Sequence, residues 1–155
     1  MFSALENTSV ALWVGQSLWG YPILLSAHIV GLAIVVGIFA MRDLRLLGFF
    51  SGLHPSAFLP LSRMAWMGFI INAVSGILLF TSQAVTFISS TPFLLKLACI
   101  IAGMVIAGVI QSKLRGELFD SGEEAVMRGP IKTLAAASLL LWVTAIIAGR
   151  LIAYL

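Results

Sequence analysis

Three ionisable side chains, His28, Lys96 and Arg150, lie inside stretches otherwise built almost wholly from apolar and small residues. A charge in hydrocarbon is costly, so such residues are functional candidates by default. Counted along a helix, His28 is ~21 Å from Arg42, Lys96 ~26 Å from Lys113, and Arg150 ~27 Å from Lys132. All three therefore fall toward the same end of their segments, with His28 about one turn deeper than the two cations.

That layering matches what a b-type haem requires. An imidazole can ligate iron within a membrane, and two cations nearer the water can pair with the propionates. On this reading His28 is the metal ligand, and Lys96 and Arg150 edge the pocket. Gly31 and Gly76 leave room for a flat macrocycle. Trp142 and the Phe residues supply aromatic walls. Asn72 or Ser75 fixes the free imidazole nitrogen, as outer partners of ligating histidines do. The plain readings stand beside it: His28 hydrogen-bonds across helices, Lys96 extends its ammonium to the headgroups, and Arg150 anchors the C-terminus. There is no second histidine in these stretches, so bis-histidine ligation within one chain is excluded. His54 lies beside Pro55 in a connection. No catalytic residue is identifiable.

Other chemistries are poorly served. Copper(I) prefers thiolate and thioether ligands, but Met64 and Met67 lie at the far end from His28, and Met104 and Cys99 have no evident partners. No Cys-x-x-Cys, no nucleophile elbow and no phosphate loop occurs. No acidic residue falls inside an apolar run, which disfavours an ion-coupled transporter.

The elements that must position these residues follow from composition. The chain has 155 residues, 61% apolar and 10% charged, against about 25% charged in a soluble domain. The net charge of +3 is too small to indicate nucleic-acid binding. The single Cys99 precludes an internal disulfide. A span needs about 20 apolar residues, and four segments qualify: 18–41, 64–84, 92–111 and 133–154. In lipid these must be helices, and short links imply an antiparallel, all-α four-helix bundle in a single transmembrane domain, residues 1–155.

Seven of the nine basic residues fall in or beside two connections: Arg42, Arg45 and Arg63, then Lys113, Arg115, Arg128 and Lys132. The positive-inside rule puts 42–63 and 112–132 in the cytoplasm and both termini outside, in a bacterial inner membrane. Residues 112–130 read as a solvated connector carrying Glu117, Asp120, Glu123 and Glu124. The first residues contain no Lys or Arg and do not read as a secretory signal. Ser3 and Glu6 have capping-box spacing, and Leu5, Leu12 and Trp13 give an apolar side, so a short interfacial helix is expected there. Gly20-Tyr21-Pro22 should bend the chain into the first span.

Small and polar residues mark buried faces where lipid is as apolar as Leu. Four stripes emerge: Tyr21, Leu24, His28, Gly31 and Val35; Ala65, Gly68, Asn72, Ser75, Gly76, Leu79 and Gln83; Lys96, Cys99, Gly103 and Ala107; and Ala135, Ser138, Trp142, Ala145 and Gly149.

The run Ser17-Leu18-Trp19-Gly20-Tyr21-Pro22, then His28, Gly31, Gly37 and Asp43-Leu44-Arg45-Leu46-Leu47-Gly48, resembles a bacterial family of small four-span membrane proteins of unknown function. A looser similarity, on His28 and Phe93-Leu94-Leu95-Lys96-Leu97, is to HemJ-type protoporphyrinogen oxidases, and at the same level to copper-resistance D-type membrane proteins. In the HemJ type a first-span histidine and a lysine opening the third span are the functional pair, with haem implicated. The Asp43–Gly48 run and the N-terminal helix are not part of that pattern. The resemblance implies a haem b cofactor and a redox role, electron transfer or porphyrin or quinol oxidation. A non-catalytic accessory or assembly subunit is the alternative, and an oligomeric small-solute or metal transporter the third. The expected partners are the lipid bilayer and a redox protein or second copies of the chain.

Overall fold

In the computed structural model, residues 2–120, 129–152 and 154 are described, with backbone only for 117–120. The acidic and basic residues Glu117, Asp120, Glu123, Glu124 and Arg128 thus fall outside the described side chains.

The described residues are all helical or in turns. Two short helices, α1 (Phe2–Glu6) and α2 (Ser9–Gln16), precede α3 (Gly20–Leu47). A single 3-10 turn at Pro55–Ala57 leads into α4 (Phe58–Thr81). Then follow α5 (Ala84–Ser89), α6 (Thr91–Asp120) and α7 (Pro130–Leu151). Helices α3, α4, α6 and α7 are long and apolar enough to cross a membrane. A belt of outward Ile and Val residues, among them Ile23, Ile29, Ile77, Val105 and Ile147, would be an aggregation-prone surface in water. In a bilayer it is simply the solvated face, so the chain is a membrane protein.

Two of the long helices outlast the apolar runs that announce them, while α4 and α7 begin earlier and end about three residues sooner than expected. Helix α3 continues past Met41 through Arg42, Asp43 and Arg45, and stops where Gly48 takes a left-handed φ of 108°. The expected cytoplasmic loop therefore begins later than residue 42, and both arginines are buried rather than solvated. Their placement has a cause. Arg42 donates through Nε and Nη2 to Asp43 Oδ1 at 2.9 and 2.7 Å, and through Nη1 to the Ala107 carbonyl on α6 at 3.2 Å. Its guanidinium also lies 4.8 Å from the Phe39 ring centroid. Arg45 Nε donates to the Leu53 carbonyl and ties down the first connection. Helix α6 likewise runs to Asp120 with Leu114 fully buried, so residues 112–120 are helix and not connector. Pro130 at the first turn of α7 follows Gly129 at positive φ, the position where a missing N–H costs nothing.

The N-terminal helices differ from expectation in their caps and their face. Glu6 does not close a capping box on Ser3. Its carboxylate accepts from Val85 N at 2.9 Å, an amide of the first turn of α5. Thr8 caps α2 by accepting from Ala11 N. Ala11 and Val14 are buried against α3 and α4, while Leu12 and Trp13 face outward. Position in the fold, not hydrophobicity, chose the face. Small residues admit the α2 backbone, and Trp13 can occupy an interface.

The bundle closes unevenly. Helix α3 packs on α4 and on α7, and α7 packs on α6, whereas α4 and α6 scarcely touch. The α3–α4 crossing is a glycine notch. A Cβ on Gly31 would stand 2.8 Å from both Asn72 N and Gly68 O, and one on Gly68 would stand 2.8 Å from Ile34 Cγ2. Small residues let backbones approach this closely. The centre is filled by Val35, Phe39, Ala65, Met104, Ala107 and Trp142, with Phe39 stacked on Trp142 at 6.0 Å. A second cluster, Leu46, Ile110, Leu114, Ile131 and Ala135, fills the end near Arg63 and Lys113.

Candidate functional site

His28, Lys96, Asn72 and Ser75 converge in one place. His28 comes from α3, Asn72 and Ser75 from α4, and Lys96 from the start of α6, residues distant in sequence joined by antiparallel packing. The imidazole Nδ1 lies 2.9 Å from the Asn72 carbonyl and 3.2 Å from Ser75 Oγ. A carbonyl only accepts, and the Ser75 hydroxyl already donates to the Ile71 carbonyl at 2.6 Å. Asn72 Nδ2 also lies 3.3 Å from Nδ1, but its shorter contact is to the His28 carbonyl, and the nearest neighbour of Nδ1 is the Asn72 carbonyl, which assigns the proton to Nδ1. In the neutral ring Nε2 is then a lone pair, and Lys96 Nζ sits 3.4 Å from it. The Asn72 amide completes the clamp by donating to the His28 carbonyl at 2.8 Å.

Two glycines make this arrangement possible. A Cβ on Gly76 would meet His28 Cε1 at 2.9 Å, and one on Gly149 would meet Lys96 Cδ at 3.4 Å and Nζ at 3.6 Å. Gly76 accommodates the imidazole ring itself, and Gly149 of α7 accommodates the lysine stem. The stripe containing Gly149 was read from the sequence, but its role under Lys96 was not.

The remaining candidates lie elsewhere. The space beside Gly31 is filled by the α4 backbone, so this glycine serves the helix crossing. Trp142, 1% exposed, belongs to the central apolar cluster against Phe39 and Gly103, two turns from Gly149. Arg150 is exposed and turned toward the C-terminus. Its Nη2 donates to Tyr154 Oη at 3.1 Å, and its guanidinium stacks over that ring at 5.5 Å. It does not join His28.

His28 and Lys96 are each half-buried. The α4–α6 seam beside them is fastened on both sides. Toward the termini, Phe80 of α4, Phe87 of α5 and Phe93 of α6 stack with centroids 5.4–6.4 Å apart, with Phe2 edge-on to Phe80 at 6.4 Å. Toward the other end, Gln111 Nε2 of α6 donates to Ser62 Oγ of α4 at 3.1 Å. Phe80 is one turn beyond Gly76, and Phe93 nearly one turn beyond Lys96. The sequence shows many Phe residues but not which four would meet, because three come from separate helices and one from α1.

Among the described residues no group of three or more His, Cys, Asp or Glu is placed to hold a metal ion. A single imidazole lone pair beside an ammonium is what the site offers: an iron or proton acceptor next to a cation with N–H donors to spare.

A sequence profile described as "Family of unknown function (DUF6644)" matches residues 2–155. No curated protein and no solved structure matches the chain.

Proposed function

This chain belongs to that family of unknown function, and for it we propose a redox role in the membrane as a haem b-binding protein, with His28 as the iron ligand. The observation that carries the reading is the fixed tautomer: a backbone carbonyl holds Nδ1–H, leaving Nε2 as a lone pair in a half-buried polar position. Ligating histidines are oriented in this way by their outer partners. Haem would supply one-electron chemistry at its iron.

The chain's own residues fit that group in part. His28 offers the ligand, Asn72 and Ser75 orient it, and Lys96 offers a cation for a carboxylate. Lys96 now occupies the lone pair, so ligation requires its ammonium to move from Nε2 to a propionate. Arg150, Gly31 and Trp142 do not face His28. The four-Phe cluster, one turn nearer the bundle end, would supply the aromatic wall. With 42–63 and 112–132 on the cytoplasmic side of a bacterial inner membrane and both termini outside, the His28 layer would lie in the outer leaflet.

The direct Lys96–His28 contact favours a second reading at the same site. A quinol hydroxyl can donate to Nε2 while its oxygen accepts from Nζ, giving quinol binding without a metal. An absorption spectrum of the purified protein with added haem separates the two. A Soret band that disappears in His28→Ala is expected. No Soret band in the parent protein, or an unchanged one in His28→Ala, overturns haem ligation. Retention of a short-chain hydroquinone in equilibrium dialysis under reducing conditions, lost in both His28→Ala and Lys96→Gln, would then favour the quinol.

A further inference from the structure

A second site lies at the opposite end of the α4–α6 seam. A groove of about 380 Å³ is lined by Ser62 and Trp66 of α4 and by Gly108, Gln111, Ser112 and Arg115 of α6. Its volume is that of a small-ligand pocket. Its chemistry is asymmetric. Ser62 is committed: it donates to the Leu59 carbonyl at 2.7 Å and accepts from Gln111. Arg115 is exposed, and among the described residues it has no ion pair or hydrogen bond. Ser112 beside it is exposed as well. One face thus presents a guanidinium and a hydroxyl, a fork suited to phosphate oxygens.

Apolar surface adjoins the groove. Trp66 is 43% exposed, and the exposed residues Met67, Val105 and Val109 neighbour Trp66 and Gly108 on the same two helices. A soluble anion would gain nothing from this surface, whereas acyl chains would. An indole and an arginine at a helix end are what a bilayer interface selects, and basic pockets between spans at that level hold lipid headgroups. The groove exists because the α4 and α6 backbones stay apart here, bridged by the Gln111–Ser62 hydrogen bond.

We propose that this groove binds one anionic phospholipid, with Arg115 and Ser112 on its phosphate and Trp66 at the glycerol level. The lipid would fill the gap between α4 and α6 near the Gln111–Ser62 tie and act as a wedge holding the seam.

Native mass spectrometry of the purified full chain, titrated with phosphatidylglycerol, phosphatidylcholine or inorganic phosphate, tests this. One phosphatidylglycerol should bind about tenfold more tightly than phosphatidylcholine, because a charge-assisted contact and net charge both favour it. Arg115→Gln should remove that preference and Ser112→Ala should weaken it, while Lys113→Gln, outside the groove, should leave it intact. Equal retention by Arg115→Gln, or equal loss in Lys113→Gln, overturns the site in favour of general surface charge. Displacement of the lipid by millimolar inorganic phosphate overturns the lipid as its occupant. None of these outcomes depends on haem or His28.

Discussion

Two polar layers cross this bundle and solve the problem of charge among apolar helices in opposite ways. In the Arg42 layer, Arg42 and Asp43 are 1% and 0% exposed, and Arg42 spans from its own helix to a carbonyl of α6. In the His28 layer the groups are half-buried, and the ammonium of Lys96 has His28 Nε2 as its hydrogen-bond partner. About 21 Å of helix separates them, filled by Val35, Phe39 and Trp142. The comparison teaches that a buried ion alone does not mark a ligand site. A nearly closed, neutralised pair fastens helices, whereas a cation left with spare donors beside a lone pair can receive something.

The largest expected effect tests the closed layer. Asp43→Ala leaves a guanidinium buried without its counter-charge, and should cost about 3–5 kcal/mol of stability, read as a lowered unfolding midpoint in detergent. Replacing both partners, Arg42→Met with Asp43→Leu, should recover most of it. Failure to recover would mean that the layer does more than fasten.

Next comes the glycine notch where α3 crosses α4, one turn from His28. Gly31→Ala would place a methyl 2.8 Å from backbone atoms of α4, which cannot give way as a side-chain tip can. A loss of about 1–3 kcal/mol in thermal unfolding is expected.

A smaller and more diagnostic effect is expected at the open layer. Gly76→Ala pushes on His28 Cε1, so it should reduce haem retention with little change in the unfolding midpoint. In a His28→Ala background the same substitution should be nearly neutral for stability, within about 0.5 kcal/mol. A large penalty there would show that Gly76 serves helix packing and not the ring.

Arg150→Gln should do least. Its guanidinium is spent on Tyr154, so stability should stay within about 0.5 kcal/mol and haem affinity should match the parent. If affinity falls as far as in Lys96→Gln, Arg150 belongs with the open layer after all.

Much of this was legible from residue types. Of the second stripe, Ala65, Gly68, Asn72, Ser75 and Leu79 are buried on α4 and Gly76 is half-buried, whereas Gln83 lies past the helix end and is exposed; only small and polar residues distinguish an inner face in lipid. His28 and Lys96 stood out because charge is rare there, and both helices had to bring them near the same end. Arg150 stood out on the same ground and went elsewhere. A long side chain one turn from the terminus has Tyr154 within reach, and depth counting cannot see direction. Arg42 and Asp43 read as residues of a solvated connection, and their burial as a pair was not legible for a related reason. Adjacent residues leave a helix on different faces, so their pairing depends on how the arginine stem wraps between α3 and α6.

The chain's composition and the period of its small residues determined that it enters a membrane as four helices and which stripes face inward, because those follow from burial of backbone and side chains in lipid. Tertiary structure alone decided that α4 and α6 stay apart, that Glu6 serves α5, that Gly31 seats a backbone while Gly76 seats an imidazole, and that one lysine rather than one arginine meets His28. Each of those depends on the relative rotation and height of packed helices, set by interlocking contacts between residues far apart in sequence, which no local spacing encodes.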